Sequence, residues 1–161
     1  RRRLFRVGEE FAGHGCVAAV CRGETPVGAR PLERIAIDDL VPFAALVKHG
    51  LAAVMPAHVV FPAVESKPAG YSRMWLRDIL RGRLRFDGLI VSDDLGMAGA
   101  VAAGDIVARA EAACAAGCDI VLTCNDHVAA DDLLARWKAP SSPDLARRIA
   151  PLEGYAPKPY P

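Results

Sequence analysis

The 161-residue sequence lacks several features that would indicate particular classes of protein. No apolar run reaches the roughly 18 residues of a membrane-spanning helix. With 20 Lys and Arg against 19 Asp and Glu, the net charge is +1. Nothing in this balance favours a surface that binds nucleic acid or anionic lipid. We therefore expect no nucleic acid and no membrane among the partners of this chain.

The sequence also lacks cysteine spacings typical of a disulfide framework or a zinc site. Its five cysteines are Cys16, Cys21, Cys114, Cys118 and Cys124. An odd count without a CxxC pair indicates reduced, mostly buried thiols and hence a cytoplasmic protein. Cys114 and Cys118 are four apart on a predicted helix, but no His or further Cys stands at metal spacing. No metal site is predicted.

What the sequence does contain is an alternation of strands and helices, read from its apolar periodicity. Strands are predicted within residues 1–13 and at 51–55, 89–91 and 120–123. Helices are predicted at residues 31–50, 73–84, 97–116 and 128–138. Pro42 interrupts the first helix and could divide it in two. Residues 59–72 are predicted to be a loop, and the Pro- and Ser-rich residues 140–161 a poorly ordered tail.

This alternation predicts an α/β fold with a parallel sheet and right-handed crossovers. Four βα units make half of an eight-stranded (β/α)8 TIM barrel. A four-stranded doubly wound sheet is the alternative arrangement of the same elements. A half barrel exposes two sheet edges and an apolar inner face, so self-association is expected.

The most informative stretch is the apolar run Leu89-Ile90-Val91, which stops on Ser92-Asp93-Asp94. Ligands bind at the carboxyl ends of parallel strands, so two acids at this place are candidates for a functional site. Successive strand residues point in opposite directions, and the two acids should therefore differ in role. The alternative is structural, because Asp is a favoured residue for capping a following helix.

Residues 79–96 resemble the nucleophile signature of family 3 glycoside hydrolases: two aliphatic residues, a basic residue, a Gly-aliphatic strand and then Ser-Asp. The wider chain is similar to one branch of that family, the bacterial β-N-acetylhexosaminidases of cell-wall recycling. The matching segments are FAGHG at 11–15, AAVMPAHVVFP at 52–62, KPAGYS at 67–72, SDDLGMAGA at 92–100 and AGCDIVLTCN at 116–125. A broader family 3 β-glucosidase is disfavoured by the SDDL segment.

The resemblance implies the second half of a family 3 catalytic barrel, with about half of that domain preceding residue 1. Residues 1–139 would belong to the catalytic domain and residues 140–161 to the tail. It implies that Asp93 is the nucleophile of a retaining hydrolase that removes β-linked N-acetylglucosamine from muropeptides, without metal or organic cofactor. His58, at a strand end, and His14, in the glycine loop, are candidate substrate-binding residues.

Two departures from the family pattern affect the predicted chemistry. The sugar-contacting Lys-His of the family is replaced by Glu9-Glu10. The Asp-Ser-His triplet that carries the general acid/base is replaced by Val20-Cys21-Arg22, and an arginine cannot give up a proton near neutral pH. Glu24 is the nearest acid to the lost histidine, although a solvated loop residue is the plainer interpretation.

Two hypotheses therefore stay open at the level of sequence. In the first, the chain is a hexosaminidase by descent whose hydrolysis is impaired. In the second, it is a non-catalytic remnant or a sugar-binding module that keeps the scaffold without the reaction. The segment Ser92–Leu95 favours the first hypothesis, whereas Arg22 and the Glu9-Glu10 pair favour the second.

Overall fold

A computed structural model describes residues 5–17 and 23–153 of the chain. Its strands are Val7–Phe11 (β1), Ala53–Pro56 (β2), Val60–Phe61 (β3), Glu65–Pro68 (β4), Leu89–Asp94 (β5) and Ile120–Leu122 (β6). Its longer helices are Leu32–Ile37, Leu40–Lys48, Met74–Arg83, Ile106–Ala116, His127–Arg136 and Pro143–Glu153. None of the helices in this part of the chain is long and apolar enough to cross a membrane.

Four strands form one parallel sheet in the order β1-β2-β5-β6. The strand order follows the chain order, so every crossover steps in the same direction. A doubly wound sheet would reverse direction at a switch point. The α/β fold with a partial (β/α) barrel is therefore confirmed, and the described residues leave it open, with β1 and β6 as its edges.

An aromatic cluster anchors the carboxyl end of β1. The ring of Phe11, the last residue of β1, packs edge-on against Phe43 at 5.2 Å and against Trp75 at 6.3 Å between centroids. Trp75 in turn lies 5.6 Å from Phe61. All four side chains are buried, and each such pair adds about 0.5–1.5 kcal/mol to the burial of its area. The loop that follows β1 thus starts from a fixed point.

The predicted helix over residues 31–50 is indeed two helices, but the break lies at Asp38-Asp39 and not at Pro42. Pro42 is the third residue of the Leu40–Lys48 helix. In the first turn a backbone N–H has no partner within the helix, so a proline is accommodated there without the loss of a hydrogen bond.

Two other predictions for the middle of the chain were wrong in detail. The predicted loop at 59–72 contains the antiparallel β3–β4 hairpin. The single helix predicted at 97–116 is a short 3-10 helix, Ala98–Ala103, followed by the Ile106–Ala116 helix. Gly104 separates them with a φ of +111°, and Asp105 caps the second helix by accepting from the N–H of Ala108 at 2.9 Å.

The predicted poorly ordered tail is wrong for residues 143–153, which form a helix. Arg147 donates to both carboxylate oxygens of Asp87, at 2.6 and 2.7 Å. Arg148 donates to Oδ1 of Asp119 at 3.0 Å. These long-range partners fix the helix against the rest of the chain, and local composition gives no sign of them.

Asp119 is the centre of a buried charge cluster at the amino end of β5 and β6. Its side chain is 9% exposed and pairs with Arg81 and Arg148, whose side chains are 18% and 16% exposed. Oδ2 accepts from Arg81 at 2.7 Å and from the backbone N–H of Ile90 at 2.9 Å. One carboxylate thereby connects β5, the Met74–Arg83 helix and the Pro143–Glu153 helix.

The cysteines of the described residues carry free thiols. Cys118 is buried and Cys114 half-buried, but Cys16 and Cys124 are exposed. The expectation of mostly buried thiols was therefore wrong for two of these four positions. Cys21 lies outside the described residues.

Candidate active site

A cavity of about 600 Å³ opens at the carboxyl ends of β2, β5 and β6. This is the edge of a parallel sheet at which ligands bind. Its walls include Met55, Asp93, Asp94, Met97, Leu122, Cys124, Asn125 and Asp126. Both acids singled out from the sequence thus reach the same cavity.

Asp93 is the penultimate residue of β5 and is half-buried in the wall of this cavity. Its Oδ1 accepts a hydrogen bond from the N–H of Asp94 at 2.7 Å. Within the described part of the chain no other hydrogen bond to this carboxylate is found, which leaves Oδ2 available to a ligand. The backbone bond fixes one oxygen, so the orientation of the other is restricted.

Asp94 has a different environment from its neighbour. Its Oδ1 accepts from the N–H of Gly96 at 2.9 Å and from the N–H of Cys124 at 3.0 Å. These bonds join the loop after β5 to the loop after β6. The short helix that follows begins after Met97 without a side-chain cap. The alternative that one of the two acids caps a helix is therefore wrong, since Asp94 binds loop amides instead.

His58 lies behind the end of β5 and not in the cavity wall. It is 1% exposed, and its Nε2 donates to the backbone carbonyl of Asp94 at 3.2 Å. Burial lowers the pKa of His58, partly offset by the negative charges of Asp93 and Asp94. A neutral ring with its proton on Nε2 satisfies this hydrogen bond. In this position His58 supports the strand end that carries Asp93, and contact of His58 with substrate stays a prediction.

The space behind His58 is closed by a glycine. A Cβ added to Gly99 would stand 2.7 Å from the Cβ of His58, a distance that real Cβ atoms essentially never show. The ring of Tyr71 lies 5.5 Å from the His58 ring on another side. The histidine is thus held in one position by close packing as well as by its hydrogen bond.

At the end of β1 the backbone turns sharply through residues with positive φ. Glu10, Ala12 and Gly13 have φ values of 60°, 85° and 98°, and the N–H of Gly13 donates to the carbonyl of Glu10 at 2.9 Å. His14, half-buried, follows this turn. The structure fixes the place of His14 in the chain, directly after this turn. Its role in substrate binding stays a prediction.

Glu10 stands in the turn at the end of β1 and, although it does not line the cavity, its carboxyl group has a shifted pKa. Glu10 is an exposed residue, yet partial burial of its carboxyl group raises the pKa of that group. The charge of His14 opposes this shift, and the charges of Asp93 and Glu9 add to it. The charge of Asp93 thus acts on the carboxyl group of Glu10 across the carboxyl edge of the sheet. In the sequence, the only sign that this position is unusual was its departure from the family pattern.

The loop after β6 completes the cavity. The Oγ of Ser92, which is 1% exposed, accepts from the N–H of Leu122 at 3.0 Å and joins β5 to β6. Asn125 has a φ of +58°, and Asp126 caps the His127–Arg136 helix by accepting from Ala129 at 2.9 Å. Asn125 and Asp126 turn the chain as predicted, and they also line the cavity.

The remaining candidates are not brought into the cavity. Val20, Cys21 and Arg22 lie outside the described residues. Glu24 is exposed, as expected of a solvated loop acid. Across residues 5–17 and 23–153, no group of three or more His, Cys, Asp or Glu side chains is placed to hold a metal ion.

A model of the Glycosyl hydrolase family 3 N terminal domain matches residues 2–142 of the chain. Among curated proteins, the β-hexosaminidase of Chromobacterium violaceum is 52% identical over 151 residues. That match covers 94% of this chain and 42% of the relative. The chain thus spans less than half the length of this relative.

Solved structures are similar in fold as well as in sequence. NagZ from Neisseria gonorrhoeae, in complex with N-trifluoroacetyl-D-glucosamine, has a TM-score of 0.80 and 44% identity, covering 89% of this chain and 41% of its own. A family 3 β-N-acetylglucosaminidase from Paenibacillus has a TM-score of 0.78 and 31% identity, covering 92% of this chain and 30% of its own.

Proposed function

This chain belongs to glycosyl hydrolase family 3, and we propose that it forms part of a retaining β-N-acetylhexosaminidase. The observation that carries the proposal is Asp93, held at the carboxyl end of β5 with one oxygen bonded to a backbone N–H and its side chain in the cavity wall. The proposed substrate is a muropeptide with a terminal β-linked N-acetylglucosamine. Binding of an N-acylated glucosamine by the Neisseria relative supports this sugar class.

In the proposed reaction Oδ2 of Asp93 attacks the anomeric carbon of the sugar while the bond to the departing oxygen breaks. The product is a glycosyl ester on Asp93, which water then hydrolyses with overall retention of configuration. The N–H of Asp94 keeps Oδ1 in place during the attack. His58 and the side chain of Asp94 act as positioning groups, because they fix the backbone around the nucleophile.

We propose that turnover by this chain is slow. General acid/base catalysis is typically worth about 10²–10⁴-fold, and Arg22 stands where the resemblance places the histidine that would provide it. The proposed reaction uses no metal or organic cofactor, and reduced thiols favour a cytoplasmic location.

Covalent trapping tests this function even when turnover is slow. A 2-deoxy-2-fluoro glycoside with a dinitrophenyl leaving group should label the chain once, because fluorine slows both formation and hydrolysis of the ester and the good leaving group speeds only its formation. Peptide mass spectrometry should place the sugar on Asp93, and the Asp93→Ala variant should take up none. If the wild-type chain stays unlabelled after long incubation, the chain is a non-catalytic remnant or a sugar-binding module.

We also propose that the open sheet edges make the chain self-associate. β1 is an edge strand with exposed apolar side chains, Val7 at 41% and Phe5 just before it at 38%. Unpaired edges of this kind pair with other chains. Sedimentation equilibrium should detect a dimer or larger species, and Val7→Lys should shift the population towards monomer. A monomeric wild-type chain at high micromolar concentration would contradict this proposal.

A further inference from the structure

A second cavity, of about 470 Å³, lies at the opposite end of the sheet from Asp93. It opens between the Met74–Arg83 helix, the end of the Ile106–Ala116 helix and the start of the Pro143–Glu153 helix. Asp119, just before β6, is part of its wall. The six residues of β5 rise about 3.3 Å each, so roughly 15 Å separates the two ends of the sheet. The two cavities are therefore separate sites.

The wall of this cavity has more positive charge than its acids neutralise. Three arginines line it, Arg77, Arg81 and Arg148. Two of them share the carboxylate of Asp119, Arg81 at 2.7 Å and Arg148 at 3.0 Å. The other acid in the wall, Asp144, is 71% exposed, so water and salt screen its charge. An anion is the ligand that this balance favours.

Arg77 is held at the end of a helix and has no carboxylate partner among the described residues. Its Nε donates to the carbonyl of Ala116 at 3.3 Å, and its Nη2 donates to the carbonyl of Ala115 at 3.4 Å. These two bonds fix the guanidinium group beside the last turn of the Ile106–Ala116 helix. Within residues 5–17 and 23–153 its Nη1 makes no hydrogen bond, and this nitrogen is left to donate to a ligand.

The Pro143–Glu153 helix and the residues before it supply further donors. Nη1 of Arg148 is bonded to Asp119, but in the part of the chain that the structure describes its Nη2 makes no hydrogen bond. The Oγ of Ser142 accepts from the N–H of Leu145 at 3.1 Å, so its own hydroxyl proton is left for a ligand. Ser141, which is exposed, adds a second hydroxyl to the wall. Guanidinium and hydroxyl groups around one space suit the oxygens of a phosphate.

We propose that this cavity binds an oxyanion of the phosphate class, either free phosphate or the phosphate group of a small monoester. Arg77 and Arg148 are its charged ligands, and Ser141 and Ser142 add hydroxyl donors. The volume of about 470 Å³ lies in the usual range of small-molecule sites, roughly 300–1,000 Å³, and leaves room for an organic group. This inference is independent of the proposed glycosidase function.

A ligand at this place would connect two parts of the chain. Arg77 belongs to the Met74–Arg83 helix, which lies within the segment that the family model matches, whereas Arg148 belongs to a helix beyond residue 142, where that match ends. A bound oxyanion would bridge the two helices. Because a ligand that binds the folded chain stabilises it by mass action, phosphate should raise the Tm.

Titration calorimetry on the 161-residue chain, in chloride buffer of constant ionic strength, tests the site with inorganic phosphate, glucose 6-phosphate and glucose. Phosphate or its ester should bind, and glucose should not. Tighter binding of the ester identifies a monoester as the ligand, whereas equal binding identifies the free anion. Arg77→Gln should weaken binding by about 10–100-fold, the usual effect of losing a hydrogen bond between charged groups. Arg34→Gln, which removes an equal charge from an exposed pair elsewhere, should change the affinity by less than about twofold.

Thiol protection locates the ligand. Cys114 is half-buried and lines this cavity, whereas Cys124 lines the cavity with Asp93 and Cys16 is exposed. With ligand at ten times its dissociation constant, alkylation of Cys114 by iodoacetamide should slow by up to about tenfold. Alkylation of Cys16 and Cys124 should keep its rate. Peptide mass spectrometry measures the three rates in one sample.

A second variant keeps the proposal testable if Arg77→Gln does not fold. The exposed side chain of Ser141 makes no hydrogen bond to the described residues, so Ser141→Ala should fold normally and weaken binding by about 2–10-fold. Absence of binding to the wild-type chain would overturn the proposal, as would equal affinity in the wild type and in whichever of these two variants is folded. Protection of Cys124 in place of Cys114 would also overturn it, since the anion would then occupy the cavity of Asp93.

Discussion

Replacing Asp93 by alanine is expected to reduce release of a chromogenic aglycone by on the order of 10³-fold or more, because the variant has no group to attack the anomeric carbon. The fold should be retained. Asp93 is half-buried and is not part of the hydrophobic core. The single hydrogen bond that it accepts comes from the neighbouring Asp94. Release of 4-nitrophenol from the N-acetylglucosaminide, followed over hours, measures the effect.

Azide distinguishes a lost nucleophile from a distorted site. In Asp93→Gly the small anion can enter the space vacated by the carboxylate and attack from the same face. The product should be the α-glycosyl azide, because a single attack on the β-linked substrate inverts the anomeric configuration. Asp94→Asn is the matched comparison, since its amide oxygen can still accept from Gly96 and Cys124 and only a modest loss is expected. Activity in Asp93→Ala equal to wild type would remove this residue from the mechanism.

Replacing Asp119 by alanine is expected to lower the free energy of unfolding by about 3–5 kcal/mol, the usual result of removing one partner from a buried ion pair. The change leaves Arg81 without its carboxylate partner, Arg148 with only the exposed Asp87 at 3.5 Å, and the N–H of Ile90 without its acceptor. Burial already lowers the pKa of Arg81, so this arginine is costly to keep charged without a partner. Urea unfolding followed by tryptophan fluorescence measures the difference.

The matched control is Asp87→Asn on the same helix contact. Asp87 is 63% exposed and pairs with Arg147, which is 53% exposed, and at 3.5 Å with Arg148. Because the pairing is exposed, its loss should cost less than about 1 kcal/mol. Each variant removes one negative charge that pairs with the Pro143–Glu153 helix. The two carboxylates differ in how deeply they are buried. Equal destabilisation by both would show that Asp119 acts as an ordinary surface acid.

The parts of this fold that could be predicted from sequence are those encoded by short patterns. The apolar run Leu89-Ile90-Val91 marks a buried parallel strand, and the acids after it mark the edge where ligands bind. The alternation of such runs with amphipathic stretches was sufficient to predict the parallel sheet. In the same way, Gly117, with a φ of +135°, ends the Ile106–Ala116 helix where the pattern predicted.

The parts that could not be predicted depend on contacts far apart in sequence. The Pro143–Glu153 helix is held by partners 29 and 60 residues away, which its own composition does not reveal. The position of His58 at a strand end predicts a cavity residue. In the structure the chain after β5 covers it, and its hydrogen-bond partner, the carbonyl of Asp94, is 36 residues away. The raised pKa of Glu10 depends on its burial near the turn in β1 and on the charge of Asp93, and no sequence motif contains either.

The docking of the Pro143–Glu153 helix has a practical consequence for anyone who shortens this protein. The match to the family model ends at residue 142, whereas Arg148 lies six residues later and pairs with Asp119 at the amino end of β6. A chain trimmed to residue 142 would keep the whole segment that the family model matches, yet Asp119 would retain only Arg81 of its two buried arginine partners. The end of the family-model match is thus not the end of the folded unit, and here the two differ by one helix.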